Sequence, residues 1–285
     1  MNRQDVVVLG LPSSGKTTYL AALRHLMTAN EVDVELRLVH LRGEGTEHLH
    51  LLVDRWLRAK AQERTTEVKS RTVTMTLREK TGAEFELHFP DMAGESFQRM
   101  WEKRECDPSV AAQLRSRGVL LFVHANKYKA PTWVVDEVQQ NKALGIAPEP
   151  EQPVPWKPEH SATQVQLVDL LQSLQSAPLD AGPRRLAIVL SAWDKAAAEG
   201  HAPVTYLDRH FPFLRQYLEN GLGEGWTWTV FGVSAQGGEY DEDDKPPREE
   251  AQRMRDVDIP SQRIKVVTEG AESHDLTEPL TWLLG

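Results

Sequence analysis

Near its amino terminus the chain reads Gly10-Leu11-Pro12-Ser13-Ser14-Gly15-Lys16-Thr17, which matches the pattern G-x-x-x-x-G-K-[ST]. The apolar run Val6-Val7-Val8-Leu9 precedes it, and residues 18–30 follow with helical spacing. In this strand–loop–helix context, glycines let the backbone wind so that successive N–H groups converge on a phosphate. We expect Lys16 to reach the β- and γ-phosphates and the Thr17 hydroxyl to bind Mg²⁺. The stretch therefore predicts a nucleoside triphosphate site built from Gly10, Pro12, Ser13, Ser14, Gly15, Lys16, Thr17 and Thr18.

Composition limits the classes of partner and compartment. The 285 residues carry a formal net charge of −9, which argues against nucleic acid or an anionic membrane as the main partner. Cys106 is the single cysteine, so no internal disulfide can form, and a reducing compartment fits. Residues 1–5 have no signal-peptide pattern, and no apolar stretch approaches the length of a membrane span. We expect a cytoplasmic protein.

Apolar patterns predict strands that alternate with helices. Continuous apolar runs at 119–123 and 186–190 are typical of strands buried on both faces, and alternation over 73–77 and 85–89 predicts a hairpin. Further strands are predicted at 32–38, 226–233 and 264–267, and helices at 16–28, 46–57, 161–174, 205–218 and 276–284. The pattern indicates a three-layer α/β/α fold with a mostly parallel sheet, in which ligands bind at the carboxyl ends of strands.

Two stretches are predicted to be irregular. Residues 127–160 contain closely spaced prolines and are interpreted as a surface excursion with one short helix near 134–144. Residues 241–255 are acidic and contain proline, so we expect them to be mobile. His48 and His50 stand two apart on a predicted helix and do not share a face, so we interpret them as solvent-exposed rather than metal-binding.

Further motifs follow the predicted strands. Asp91-Met92-Ala93-Gly94 fits D-x-x-G directly after the hairpin, where Asp91 is expected to hold Mg²⁺ through water and the Gly94 N–H to sense the γ-phosphate. Ser191-Ala192-Trp193-Asp194 follows the run at 186–190, and Ser234-Ala235 follows the strand at 226–233. All of them are therefore expected at one edge of the sheet.

The order of these motifs resembles that of the Ras-like GTPases, P-loop proteins of the TRAFAC class. The resemblance spans most of the chain as one domain, residues 1–285, with insertions at about 31–61, 127–160 and 236–274. Residues 16–23, 91–97 and 275–283 are most similar to the bacterial double-GTPases of GTPase-centred conflict systems. The resemblance implies a Ras-like fold, GTP/GDP with Mg²⁺, and a nucleotide-controlled switch read by a protein effector or activator. It leaves a homo- or heterodimer open.

The resemblance also implies how the base is bound. In this family an N/T-K-x-D motif reads guanine, and its Asp accepts hydrogen bonds from the base N1 and N2 groups. Here Asp194 is kept, but Ser191 replaces the Asn and Ala192 replaces the Lys that covers the ring. Trp193 either stacks on the base instead or is an ordinary core or surface tryptophan. The Ser234-Ala235 loop is implied to offer a backbone N–H to guanine O6, so guanine is favoured over adenine.

Hydrolysis is expected to be slow. The family's switch threonine, which contributes to Mg²⁺ and to the γ-phosphate, corresponds to Thr65 or Thr66, and the sequence does not distinguish them. Glu95 stands where the family has a Gln that orients the attacking water. A carboxylate a few ångströms from the triphosphate is repelled by roughly 1 to 4 kcal/mol. We expect a partner arginine to accelerate the reaction. The alternatives are a scaffold that holds nucleotide without hydrolysis and an ATP-using P-loop enzyme.

Overall fold

Nine strands form one mixed sheet in the computed structural model, which describes residues 5–43, 45–62, 72–90, 100–131, 135, 139, 142–145, 155, 157 and 160–285. The strands are β1 (Asp5–Gly10), β2 (Leu36–Arg42), β3 (Thr72–Glu79), β4 (Glu84–Pro90), β5 (Gly118–His124), β6 (Arg185–Ser191), β7 (Thr227–Ser234), β8 (Lys265–Val267) and β9 (Glu272–Ser273). The helices are α1 (Lys16–Ala29), α2 (Thr46–Leu57), α3 (Pro108–Leu114), α4 (Thr163–Leu174), α5 (Trp193–Ala196), α6 (Pro203–His210), α7 (Pro212–Asn220), α8 (Glu249–Arg255) and α9 (Glu278–Leu284).

The sheet has a parallel centre and antiparallel edges. Its order is β2-β3-β4-β1-β5-β6-β7-β8-β9, and the five central strands from β4 to β7 pair in parallel. The predicted hairpin is confirmed as β3–β4, whose second strand pairs with β1. Because the central strands are parallel, Gly10, His124, Ser191 and Ser234 all lie at one edge, where their strands end.

Apolar side chains bury both faces of the sheet. Along β1, Val6 and Val8 belong to the core that packs against α1, α2 and α9, while Val7 and Leu9 belong to the core under α4, α6 and α7. This alternation follows from the two-residue period of a strand. The predicted three-layer α/β/α architecture is thereby confirmed.

Two local predictions differ from the structure. Strand β2 begins at Leu36 rather than at residue 32, because the Glu35 backbone N–H donates to Asp275 Oδ2 (3.0 Å) before the chain joins the sheet. The helix predicted over 205–218 is two helices that break at Phe211, since Pro212 has no N–H and restricts the residue before it. The short helix predicted near 134–144 lies largely outside the described residues.

Residues 241–255, predicted to be mobile, contact the rest of the fold at both ends, while residues 243–247 between them are exposed. The Asp241 backbone donates to Ala59 O (2.9 Å) and accepts from the Ala61 N–H (2.8 Å). Helix α8 then buries Ala251 and Met254 in the core. Several of the acidic residues that suggested mobility form ion pairs, such as Asp241 with Arg255 at 2.7 Å.

Two of the predicted insertions add elements at the edges of the sheet. Residues 31–61 supply β2, which pairs with β3, and α2, which packs on α1. Residues 236–274 supply α8, β8 and β9, and β8 pairs with β7. Within the described ranges, every helix is too short or too polar to cross a lipid bilayer.

Candidate functional site

The loop between β1 and α1 has the backbone geometry that its glycines allow. Gly10, Ser13 and Gly15 all have positive φ (149°, 60° and 93°). A Cβ on Gly10 would lie 2.6 Å from the Phe122 carbonyl oxygen, so glycine is required where the loop passes β5. Helix α1 starts directly after Gly15, a residue that has no side chain to cap the first N–H groups of the helix. These N–H groups and the helix dipole favour an anion at this end.

Lys16 is folded back over this loop. Its ammonium donates to Gly10 O (2.8 Å), Leu11 O (2.9 Å) and Ser14 Oγ (3.4 Å). Thr17 at the next position is exposed, and Thr18 is half-buried. Pro12 and Ser13 are exposed at the tip of the loop, while Ser14 is only 4% exposed. The structure therefore gathers all the predicted phosphate-loop residues around one helix N-terminus.

Ser191 at the end of β6 is hydrogen-bonded to the phosphate loop, residues 10–17. Its Oγ donates to the Ser14 carbonyl at 2.7 Å, and both residues are buried. A Cβ on Gly15 would lie 3.0 Å from Ser191 Cβ and Oγ, so the loop and strand approach as closely as glycine permits. In the sequence, Ser191 stands out only as a replacement of the asparagine in the family motif, and this contact was not predicted. The one signal for it was that Ser191 directly follows a predicted buried strand.

Asp194 and Ser234 meet at the same edge, although they lie on separate segments. Ser234 Oγ donates to Asp194 Oδ1 (2.8 Å) and accepts from the Gly237 N–H (3.1 Å). The carboxylate is thus oriented by the serine, with its residue half-buried. The sequence predicted that these two residues share a base pocket, and the structure brings them into contact.

Trp193 lies in the core, as the alternative interpretation held. It is 3% exposed, and its ring centroid is 5.4 Å from that of Tyr206 in an edge-to-face arrangement. A Cβ on Gly232 would lie 2.4 Å from the indole, so the ring fills the space that this glycine leaves. The prediction that Trp193 stacks on a base is therefore wrong, because the packed ring has no face available for a ligand.

Ala235 directly follows Ser234 in residues 234–237, which we call the base loop after the pocket that the sequence predicts there. The inserted helix α2 contacts this loop. The Trp56 Nε1–H on α2 donates to the Ala235 carbonyl at 2.8 Å. Sequence reasoning missed Trp56 as a site residue because the two partners are 179 positions apart. Its apolar stripe on α2 indicated burial, but no pattern indicated what the indole N–H would bind.

His124 at the end of β5 lies near the same carboxylate. Its Nδ1 accepts from the N–H groups of Asn126 (3.3 Å) and Lys127 (3.1 Å). Burial lowers the pKa of His124, as does the Lys127 charge, while Asp194 acts in the opposite direction. The accepting role of Nδ1 agrees with a neutral ring, so His124 adds no positive charge to this edge at neutral pH.

A cleft opens beside Lys16 and Thr17. It lies between α1, α2 and the hairpin, and its walls include Leu20, Leu49 and Phe89. His48 also lines the cleft and is half-buried, so the prediction that it is solvent-exposed is wrong; His50 is exposed as predicted.

Five predicted site residues lie outside the described residues: Thr65, Thr66, Asp91, Gly94 and Glu95. The structure describes the strand that leads to three of them, since β4 ends at Pro90. Among the described oxygen donors near Lys16, the exposed Thr17 hydroxyl at the start of α1 suits a hard cation such as Mg²⁺.

The sheet order, the phosphate loop at its edge and the adjoining base loop define a P-loop α/β protein of the GTPase type. The Double-GTPase 1 family matches residues 7–283, and the chain belongs to this family. It is therefore a GTP-binding GTPase domain, as the resemblance implied. No curated protein matches the chain.

Two of the solved structures that match this chain are from fungi. One is the GTPase-like domain of S. cerevisiae Ski7, solved bound to GTP, with 12% identity and a TM-score of 0.44 over 83% of this chain and 43% of that one. The chain thus spans less than half of the Ski7 chain. The other is the signal recognition particle receptor SRb-GTP/SRX complex from Chaetomium thermophilum, with 14% identity and a TM-score of 0.39 over 90% of this chain and 96% of that one.

Proposed function

We propose that this protein is a nucleotide-controlled switch that binds GTP or GDP with Mg²⁺ and hydrolyses GTP slowly. The observation that carries the proposal is that the phosphate loop and the Asp194–Ser234 pair, the two half-sites, adjoin at one edge of the sheet. Ser234 orients Asp194 on the base side (2.8 Å), and Ser191 ties the adjoining strand to the phosphate loop at Ser14 (2.7 Å). A single nucleotide spans both half-sites in this arrangement.

The phosphate side supports triphosphate binding by charge and by hydrogen-bond donors. The Lys16 ammonium now donates to two carbonyls and a hydroxyl, and triphosphate oxygens are stronger acceptors for the same donors. The N–H groups in the first turn of α1 add to this attraction. We propose that Thr17 and, from the motif, Asp91 with Thr65 or Thr66 hold Mg²⁺. The ion, when bound, neutralises charge that develops on the phosphate oxygens.

The base side supports guanine. A carboxylate accepts hydrogen bonds only, and guanine offers N1–H and N2–H donors that match the two oxygens of Asp194. Ser234 holds the carboxylate in one orientation, and a backbone N–H of the Ser234-Ala235 loop is proposed to meet guanine O6. Adenine lacks both the N2 amino group and the 6-oxo acceptor, so its affinity is expected to be lower.

We propose that hydrolysis depends on a partner. Gly94, Thr66 and Glu95 stand in the motif positions that sense the γ-phosphate and place the attacking water. Glu95 brings a negative charge where the family has an amide, which disfavours the intrinsic reaction. A protein partner that inserts an arginine would accelerate it by about 10³- to 10⁵-fold. The proposed setting is a bacterial multi-protein system, with the effector binding the GTP form and the chain acting as one cytoplasmic domain.

Phosphate release from GTP tests this proposal, with Lys16→Ala as the control variant. Removing one charge-assisted hydrogen bond costs about 1.5 to 3 kcal/mol, so we expect GTP affinity to fall by at least about tenfold in the variant, together with loss of turnover. Equal rates in both proteins would refute the assignment of hydrolysis to this site.

Two further measurements separate the alternatives. Bound GTP that survives for hours, even with candidate partners added, would identify a scaffold rather than a switch. Displacement of a fluorescent guanine nucleotide by ATP and by GTP compares the two bases directly. Stronger displacement by ATP would show that the guanine assignment is wrong.

A further inference from the structure

The indole of Trp56 is the point at which the inserted helix α2 contacts the base loop. Trp56 is 0% exposed, and its Nε1–H donates to the Ala235 carbonyl at 2.8 Å. A buried indole N–H without a partner is costly, so this bond fixes both groups. The carbonyl belongs to the peptide that directly follows Ser234-Ala235, the pair proposed to face the base.

Two other side chains hold the ring in one orientation. The Arg263 guanidinium lies 4.3 Å from the ring centroid of Trp56, within cation–π distance. The imidazole of His25 on α1 lies 5.1 Å away, centroid to centroid. Because Arg263 is itself 5% exposed and the chain around it packs against Gly237, the indole cannot turn without moving the loop.

The base loop is therefore held from both ends. Ser234, just before Ala235, donates from Oγ to Asp194 (2.8 Å) and accepts there from the N–H of Gly237, two residues after Ala235 (3.1 Å). The Trp56 Nε1–H donates to the Ala235 carbonyl between them. Ala192 stands where the family has the lysine that covers the base. Because the alanine side chain is too short to cover the base, recognition of the base depends more on the position of the backbone of the base loop.

We propose that Trp56 is a positioning residue for recognition of the 6-oxo group of the base. It acts through the Ala235 peptide, and the inference rests on the proposed function, because it deepens the description of the same guanine pocket. In this scheme the inserted helix α2 contributes to base selectivity through a residue that does not touch the nucleotide.

The test compares Trp56→Phe with wild type in binding of GTP, ITP and ATP. Phenylalanine keeps an aromatic ring in the core but removes the N–H. ITP keeps the 6-oxo group and lacks the 2-amino group, while ATP lacks both. We expect the affinities for GTP and ITP to fall together by about tenfold, or about 1.4 kcal/mol, with ATP unchanged. The GTP-to-ITP ratio should stay constant, because the 2-amino group is read by Asp194.

Trp282→Phe is the matched control. Trp282 lies on α9 and also carries an arginine over its ring, Arg185 at 5.2 Å, but it is at the amino-terminal end of β6, away from the base loop. We expect this variant to bind all three nucleotides as wild type does. Urea unfolding of each nucleotide-free variant verifies folding, and Trp56→Tyr replaces the phenylalanine variant if that protein does not fold.

Several results would overturn the inference. Equal losses for GTP, ITP and ATP in Trp56→Phe would show a general structural role, and unchanged affinities would show no role. If wild type binds GTP no better than ATP, the guanine assignment of the proposed function fails first, and this inference fails with it. A wild type that prefers GTP, combined with an unchanged GTP-to-ATP ratio in Trp56→Phe, overturns the inference alone.

Discussion

Replacement of Ser191 by alanine removes the hydrogen bond that joins the base-side strand β6 to the phosphate loop. Ser191 Oγ donates to the Ser14 carbonyl at 2.7 Å, and the two residues are 6% and 4% exposed. Because water has little access to either atom, the alanine variant leaves the carbonyl without this donor in a buried place. We expect the free energy of unfolding to fall by about 1 to 3 kcal/mol, the usual cost of such a loss.

The same substitution is expected to weaken GTP binding. Ser14 lies between the Leu11 carbonyl, which accepts its N–H at 3.2 Å, and the start of α1, so its peptide helps to fix the curve of the loop. If the loop adopts other conformations, only a fraction of the molecules is competent to bind GTP. The apparent affinity is then reduced in proportion to that fraction. We expect a loss of about three- to tenfold in GTP affinity at saturating Mg²⁺.

Ser116→Ala is the control for this experiment. Ser116 is also buried (7% exposed), and its Oγ donates to a backbone carbonyl, that of Gln113, at 2.6 Å, after α3. Urea unfolding of nucleotide-free protein and titration with a fluorescent GTP analogue are measured on both variants. We expect similar losses of stability but a loss of affinity only in Ser191→Ala. Equal affinities in the two variants would refute the role of Ser191 in shaping the loop.

Two further predictions concern packing and pH. Gly232→Ala places a methyl group 2.4 Å from the Trp193 ring, so we expect the free energy of unfolding in urea to fall by about 1 to 3 kcal/mol. The smaller ring of Trp193→Phe should recover part of this loss in the double variant. Additive losses would contradict this packing. Burial lowers the pKa of His124 in the folded protein from its usual value of 6.5. As the pH falls, the unfolded chain therefore takes up this proton before the folded protein does. The free energy of unfolding is unaffected above about pH 6.5 and declines below it, down to the lowered pKa of the folded state. His124→Asn, which keeps an acceptor for the N–H of Lys127 but does not titrate, should reduce this decline, and an unchanged slope would count against the assignment.

The central sheet was predictable because its signals are local. Runs such as 119–123 and 186–190 are apolar at every position, which fits strands covered on both faces, and each is followed by a polar residue at the strand end. The boundary of β2 was not predictable, because alternation alone does not reveal that Asp275 takes the Glu35 N–H. The contacts of residues 241–255 include ion pairs with distant residues, such as Asp243 with Arg55, which composition does not reveal.

The candidate site shows the same division between local and distant signals. The phosphate loop was predicted from the spacing of its own motif, and Asp194 and Ser234 from the resemblance to the Ras-like GTPases. Trp56 was missed because its partner lies in a different part of the sequence. Two interpretations of Trp193 stayed open in the sequence, because its position in the motif does not reveal which way the ring points. Its 3% exposure and the packing of Gly232 against the indole decide for the core.

Ser191 shows why a departure from a motif need not weaken a site. A serine is shorter than the asparagine that the family places there, so it bridges to the phosphate loop only if the two backbones are close. Gly15 provides that approach, since any side chain at this position would meet Ser191 at 3.0 Å. The glycine and the serine therefore act as a pair, and the 2.7 Å bond to Ser14 is the result. The substitution at 191 is compatible with a formed loop, and the lost lysine at Ala192 is the departure that bears on the base.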